Sequence, residues 1–573
     1  MNRAALAALV APVALLLGAG ACGPHPAQPT AEAGSPGATI VRLDGDLWVT
    51  SPDDDTLVHL TTDGPVEIAR LDVVAGPEQI SVVRGVAVVT GWLDEEVAIV
   101  SLDTRAVQRL RVPCGGTWGV ATWWEGTRRA AISCPLDGRL VQIDIDAPAV
   151  TEVTSGLTRP TAVVWHDGRL SVSSSSGGVV YTAGSRVTVD TGDRGASQLD
   201  TLVATDAGLI GVYQLVDHDG DRDRPPSEGG YGSVVDDAPR IQPALHGPCG
   251  PTYARFDGGR LVLAGPVAAA AGPSGLWIVH QYTKNVAVLD CDQGVVSAVL
   301  PVGAGARGIA LDGDHAWVDV GFDHAITRIS QDPAAPPVTL RREVVPVRLS
   351  AQALTGRKLF HDATNTHLTP SGVVTCATCH PRGGDDGLRW FLHTPEVSRR
   401  LRKTDAAWNA RALAPLHWDG EFSDGASLAR HTIRELMNGD GLLVDVDAMG
   451  AWLTEVPVPP GRSAVNDDDE ADIARGATVF QDAGCVVCHA GQRQTDGLSH
   501  TVTGPSDDPD GDMATTFTRP LSRVGGRGPF LHDGRAPTLR SIHAEHNPND
   551  LHGATSQLDE ADRAALVRYL ETR

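Results

Sequence analysis

Aromatic residues are scarce in this sequence: Phe, Trp and Tyr make up 5% of 573 positions, although hydrophobic residues reach 42%. Any core must therefore be filled mostly by Val, Leu, Ile and Ala. Basic charge is short as well. Lys and Arg total 47 against 71 Asp and Glu, a formal net charge of -24. That balance removes the basic face that nucleic-acid binding needs, and it suits either a small basic protein partner or simple solubility. Long apolar runs are missing apart from residues 4–17, too short for a membrane span. A chain of this length is expected to divide into two or three domains.

The short apolar run follows Arg3 and is itself followed by small residues and Cys22, the pattern of an export signal over residues 1–21. Ala19-Gly20-Ala21-Cys22 resembles a bacterial lipoprotein signal, with Ala19 where Leu is usual. The expectation is an exported protein, periplasm-facing or on the cell surface, held to the membrane only through a lipid on Cys22. Plain cleavage is the alternative. Residues 22–39, rich in Pro, are expected to be a tether.

What the sequence does have is Cys376-Ala-Thr-Cys379-His380 and, once more, Cys485-Val-Val-Cys488-His489. Cys-x-x-Cys-His attaches c-type haem: two thiols form thioethers to the porphyrin and the adjacent imidazole ligates iron. A zinc site would want a further thiol or imidazole pair nearby, and a redox dithiol a βαβ unit; neither is present in the pattern. Two covalent haems are predicted. Four cysteines then remain besides Cys22, namely Cys114, Cys134, Cys249 and Cys291. They suit two disulfides in an oxidising compartment. Three pairings are open, and pairing of chain neighbours closes the shortest loops.

Residues 40–335 read as short β-branched strands between Gly, Asp and Ser turns, with hardly a helical pattern. A seven-residue unit recurs at 57–63, 97–103, 140–146, 286–292 and 326–332, a spacing near that of propeller blades. Filling the long interval evenly predicts seven or eight blades, with the terminal strands combining into one closed blade. Cys114-Gly-Gly-Thr-Trp118 and Cys249-Gly-Pro-Thr-Tyr253 echo each other as one corner of two blades. The region resembles exported YVTN-type propellers, without their strict signature; a pair of β-sandwiches is the alternative. The acidic stretch from Asp217 to Asp223 places Gly220 too early for an EF-hand loop and is expected to be solvated.

A linker is expected at 336–349, followed by two mainly α, cytochrome c-like haem domains at 350–466 and 467–573. Ser350 can cap a helix leading to the first motif, and Asp467–Glu470 suit the N-terminus of a helix over 471–480 that delivers the second. An amphipathic helix is expected over 557–572.

The motifs and their surroundings resemble the dihaem bacterial cytochrome c peroxidase family, which includes the enzymes that mature tryptophan tryptophylquinone. Gly356-Arg-Lys-Leu-Phe360, the run Val373 to His380, Trp418-Asp-Gly420 and Gly528 to Arg535 with Thr538-Leu539 carry that likeness. It implies reduction of peroxide, or its use to oxidise a partner, at the first haem. Electrons would come through the second haem from a small donor protein such as a cytochrome or cupredoxin. It also implies that Trp418 bridges the haems, and that the second iron's far-side ligand falls fourteen residues beyond His532, on His546, with His543 as competitor. In the first pocket His431 stands at the family's Gln position and Glu435 is the nearest carboxylate; His393 is out of register for a displaceable ligand. His431 would either act on peroxide or plug the iron. The positions that hold calcium in the family look like Lys403 and Arg527 here, so no calcium is expected between the haems. The other reading is a non-enzymatic electron carrier or redox sensor with both irons six-coordinate.

Overall fold

β-Branched residues separated by tight turns build a meander of strands up to residue 341, and among the described residues α-helices appear only beyond Ser350. The computed structural model describes residues 32–573 apart from 63, 65, 183, 193, 219–233, 236–237, 240, 251–254, 257–258, 261, 331–334, 393–399, 409, 411–413, 463, 465 and 504–514. Cys22, the export signal, most of the tether, His393 and most of the acidic loop lie outside the described residues.

Seven antiparallel sheets among the described residues form a β-propeller, with blades at 40–72, 77–111, 120–154, 160–188, 195–246, 266–301 and 306–341. In each blade the strands pair in chain order. All five copies of the recurring unit fall on the third strand of a blade: Thr56–Leu60, Glu96–Ser101, Arg139–Asp144, Asn285–Asp290 and Ala325–Ser330. Even spacing through the interval suggested an eighth position. The structure places only Val179–Thr182 and Ile241–His246 there, because the fifth blade carries a long insertion between Gly208–Val216 and Ile241–His246.

The ends of the propeller do not share a blade, which corrects the expected closure. The first and seventh blades are each one contiguous run, and they join through a buried cluster of Ile40, Leu47, Val49, Trp317 and Ile326. Thr39 Oγ1 donates to Asp319 Oδ2 at 2.8 Å, and Arg307 donates to the Thr50 carbonyl at 2.6 Å across the same seam. The segment before the first blade is used elsewhere. Glu32–Ala33 pairs with Trp124 and Trp123 on the third blade, and Ala38 bridges to Ile80 on the second. Disulfides join Cys114 to Cys134 and Cys249 to Cys291.

Beyond the propeller come α1 (Ala351–Phe360), α2 (Cys376–Cys379), α3 (Gly425–His431), α4 (Val446–Glu455), α5 (Asp467–Asp482), α6 (Leu539–Ala544) and α7 (Glu560–Glu571). Ser350 caps α1 by accepting from Ala353 N, and Asn466 caps α5, whose first turn is the acidic run 467–470. Carboxylates at a helix N-terminus offset its dipole, so α5 starts four residues earlier than its apolar pattern indicated. Two crossings have the same construction. A Cβ on Gly356 of α1 would lie 1.9 Å from the Ala448 carbonyl of α4, and one on Gly476 of α5 would lie 1.9 Å from the Ala565 carbonyl of α7. Only glycine permits that approach. No helix among the described residues is long and apolar enough to cross a membrane.

Candidate functional site

The helix pair held at Gly356 carries Phe360 to the first Cys-x-x-Cys-His, and the pair held at Gly476 carries Phe480 to the second. Phe360 and the His380 ring are 6.5 Å apart at 51°, and Phe480 and the His489 ring are 6.5 Å apart at 48°. Thr375 and Thr378 form a capping box around α2, which fixes Cys376 and Cys379 on one turn. In the second motif Cys485 opens a single 3₁₀ turn, Cys485–Val487, and Cys488 caps its end.

Each motif opens into a cavity. The first, about 260 Å³, is walled by Cys376, Cys379, His380, Phe360, Leu416 and Met449. The second, about 320 Å³, is walled by Cys485, Cys488, His489, Phe480, Leu539 and Leu566. In both, the histidine Nδ1–H donates to a backbone carbonyl at 3.1 Å, Gly384 for His380 and Gln494 for His489. Burial holds both rings towards the neutral form. That bond leaves Nε2 with its lone pair as the ligating atom. Burial also pushes the Cys376 thiol up to about 12 and the Cys485 thiol up to about 11. Paired thiols, an oriented neutral imidazole and an apolar cavity are the donor set that haem c needs.

Trp418 walls both cavities. Its Nε1 donates to the Lys403 carbonyl at 3.2 Å, and the Arg519 guanidinium lies 5.6 Å from its ring centre. His431, at the end of α3, also lies on the first cavity wall, facing the His417 ring at 5.8 Å. His417 was not singled out by sequence reasoning. Its signal was only its place before Trp418-Asp-Gly, whereas the structure holds it at a left-handed φ of 64° on the wall, with burial pushing its imidazole down to about 4. Glu435 does not reach this wall. After His431 the helix widens into a π turn, Thr432–Leu436, and the cavity side is taken by Thr432, Leu436 and Met437 while Glu435 is half-buried away from it.

The far wall of the second cavity differs from the expectation in one residue. His546 is not on it; α6 stops at Ala544, Glu545 leaves the helix with φ -121°, and the chain turns away. His543 does border the cavity: it is 8% exposed, neither ring nitrogen has a hydrogen-bond partner, and burial pushes its imidazole down to about 3. His532 and His552 also border the cavity, His552 with its ring 6.3 Å from that of His489. Lys403 and Arg527 are both buried, at 4% and 6% exposed, and Lys403 borders both cavities.

The propeller covers the outer side of the first motif. Gln198 Nε2 donates to the Thr378 carbonyl at 3.0 Å and Tyr282 Oη to that of Ala377 at 2.8 Å, both on α2. Arg159 pairs with Asp385 and donates to the Gly528 carbonyl at 3.0 Å.

Residues 473–573 match the cytochrome c family, so the C-terminal part of the chain is a cytochrome c domain, which implies covalently bound haem c there. The hydrazine synthase subunit gamma of Kuenenia stuttgartiensis is 26% identical over 311 residues, which span 44% of this chain and 84% of the relative. A solved Kuenenia stuttgartiensis hydrazine synthase chain aligns with 52% of this chain and 97% of its own length, at TM-score 0.42 and 16% identity. A MauG-like protein associated with microbial copper homeostasis aligns with 40% of this chain and 90% of its own length, at TM-score 0.31 and 18% identity.

Proposed function

We propose that this chain is a dihaem redox protein of the peroxidase type, with haem attached in each of two cytochrome c-like domains and electrons passing between them through Trp418. The observation that carries this reading is Trp418 itself, one indole forming part of the wall of both cavities. The repeated Gly–Phe–His arrangement supports two equivalent attachment sites. Haem c, when bound, supplies iron that exchanges electrons and, where its far face is open, accepts an oxidant.

The chain's own residues divide the work. His380 and His489 each present Nε2 to one cavity, fixed by their carbonyl partners. His543, held neutral by burial and without a hydrogen-bond partner, would be the residue to ligate the iron of a haem held in the second cavity, and such a haem would serve as the electron store. His431 and His417 stand on the wall of the first cavity, where an imidazole can move a proton between the oxygens of a peroxide. Hydrogen peroxide is the oxidant in this reading, and a small donor protein such as a cytochrome or cupredoxin returns the electrons, drawn by the net charge of -24. No calcium ion is needed between the cavities, because Lys403 and Arg527 supply fixed positive charge there. The two disulfides support export, with a lipid anchor on Cys22.

A second reading rests on the two histidines in the first cavity. If His431 ligates the iron tightly, both haems are six-coordinate and the protein is an electron carrier or sensor. Rapid mixing of holoprotein with peroxide separates the two. The peroxidase reading expects a spectral change in wild type that persists in His431→Gln; an inert wild type beside a reactive His431→Gln establishes the carrier.

A further inference from the structure

Buried charge between the cavities is out of balance. Four cations meet there, with side chains 12% exposed for Arg159, 3% for Lys403, 13% for Arg519 and 7% for Arg527. They face two carboxylates. Asp385 is shared by Arg159 and, at 3.5 Å, by Lys403 Nζ; Asp405 is shared by Arg519 and, at 2.8 Å, by Arg527. The third acid near Lys403, Asp386, accepts from Trp390 Nε1 and Leu388 N, both at 2.9 Å, and burial raises its pKa towards the neutral acid. Nearby Arg535 and Asp533 pair with each other at 3.3 Å and leave the surplus unchanged. The Nε atoms of Arg519 and Arg527 are buried with no hydrogen-bond partner. Burial pushes Lys403 down to about 8 and Arg519 down to about 9, the direction expected of cations short of counter-charge.

Buried cations that outnumber the carboxylates they share are costly, so the arrangement calls for further anions. Lys403 and Arg519 border both cavities and Arg527 the second. The anionic groups of a haem are its propionate carboxylates, which suit the forked guanidinium and the ammonium alike.

We propose that Lys403, Arg519 and Arg527 form one anchor for the carboxylates of both haems, so that a single cationic cluster sets the two iron potentials together. This rests on the two-haem reading, and haem content per chain checks that reading separately. Positive charge near an iron favours its reduced state, by an amount that grows as the surroundings lose water. Lys403 reaches both cavities, so its loss must be felt by both irons.

The test is a spectroelectrochemical titration of holoprotein shown to hold two haems. Lys403→Met is expected to lower both potentials by about tenfold in the reduction equilibrium, or about 59 mV for a one-electron couple, while Lys403→Arg holds both within half of that. A shift of one haem alone, of neither, or of equal size in Lys403→Arg overturns the proposal, as does a shift of either potential on adding a calcium chelator to wild type. Where Lys403→Met fails to take up haem, Arg519→Gln with Arg519→Lys as its charge-retaining partner is read by the same criteria. Loss of haem from both Arg519 variants also overturns it.

Discussion

His543 and His546 are three positions apart, and the end of α6 at Ala544 separates their environments. One is buried on the wall of the second cavity, the other lies beyond the helix end. His543→Ala is expected to convert one low-spin haem to high spin in the optical and EPR spectra, with His546→Ala leaving both unchanged; the reverse pattern would return the ligand to His546. A second prediction concerns Glu78, which lines a cleft bordered also by Arg307, Arg382 and His361. Burial pushes its carboxyl from 4.5 up to about 7. Between those values the folded protein holds the extra proton, so stability falls as pH rises through that window and is level above it, a change of about 3 kcal/mol at most. Melting curves of Glu78→Gln, which cannot titrate, are expected to lack this decline. Parallel profiles for the two proteins between about pH 5 and about pH 8 would contradict it. At this scale the sequence made the near-side chemistry plain, because Cys-x-x-Cys-His is a local pattern whose spacing is its function. The far-side residues were not legible in the same way: whether His543 or His546 faces inward depends on where a six-residue helix stops, and His417 reaches its cavity through a left-handed backbone that no periodicity announces.

Elements were legible where their signals were local. Ser350 and the acidic run before Ala471 mark real helix starts, and the recurring seven-residue unit marks third strands of blades. The blade count was readable only to within one, since an insertion inside the fifth blade mimics a further repeat until strand pairing is known. The π turn after α3 carries Glu435, which the family likeness offered as the nearest carboxylate, away from the wall of the first cavity. The two glycine crossings make the third prediction. Gly476→Ala must push α5 from α7 at the Ala565 carbonyl, and Gly356→Ala must do the same to α1 and α4. Each is expected to cost about 1–3 kcal/mol of stability. Thermal melts show this as a lowered midpoint for both variants, with a same-sized loss of helix propensity excluded because alanine is the better helix former. Unchanged midpoints would mean that the crossings are looser than the geometry shows.

Across the whole molecule, the propeller and the helical part share buried ion pairs as well as the hydrogen bonds to α2. Arg523 reaches across to the Gly115 carbonyl at 3.1 Å and to Asp137 at 3.5 Å, with both charged side chains almost fully buried. Arg523→Ala leaves Asp137 without this cation, a change expected to cost about 3–5 kcal/mol and to open the 459–462 segment that packs on Gly115 and Gly116 to protease. A midpoint and a cleavage pattern identical to wild type would contradict it. Which propeller residues would meet α2 was not legible in the sequence, because Gln198 and Tyr282, which make the contact, are far from the motif and carry no spacing signal. The account turns on one arrangement: two cavities of like construction, each with its own thiols and histidine, meeting at Trp418. The most direct measurement of it is haem content per chain in the purified holoprotein, by pyridine haemochrome against protein concentration. The account predicts two haems per chain, lost one at a time in Cys376→Ala/Cys379→Ala and Cys485→Ala/Cys488→Ala; a single haem per wild-type chain would contradict it.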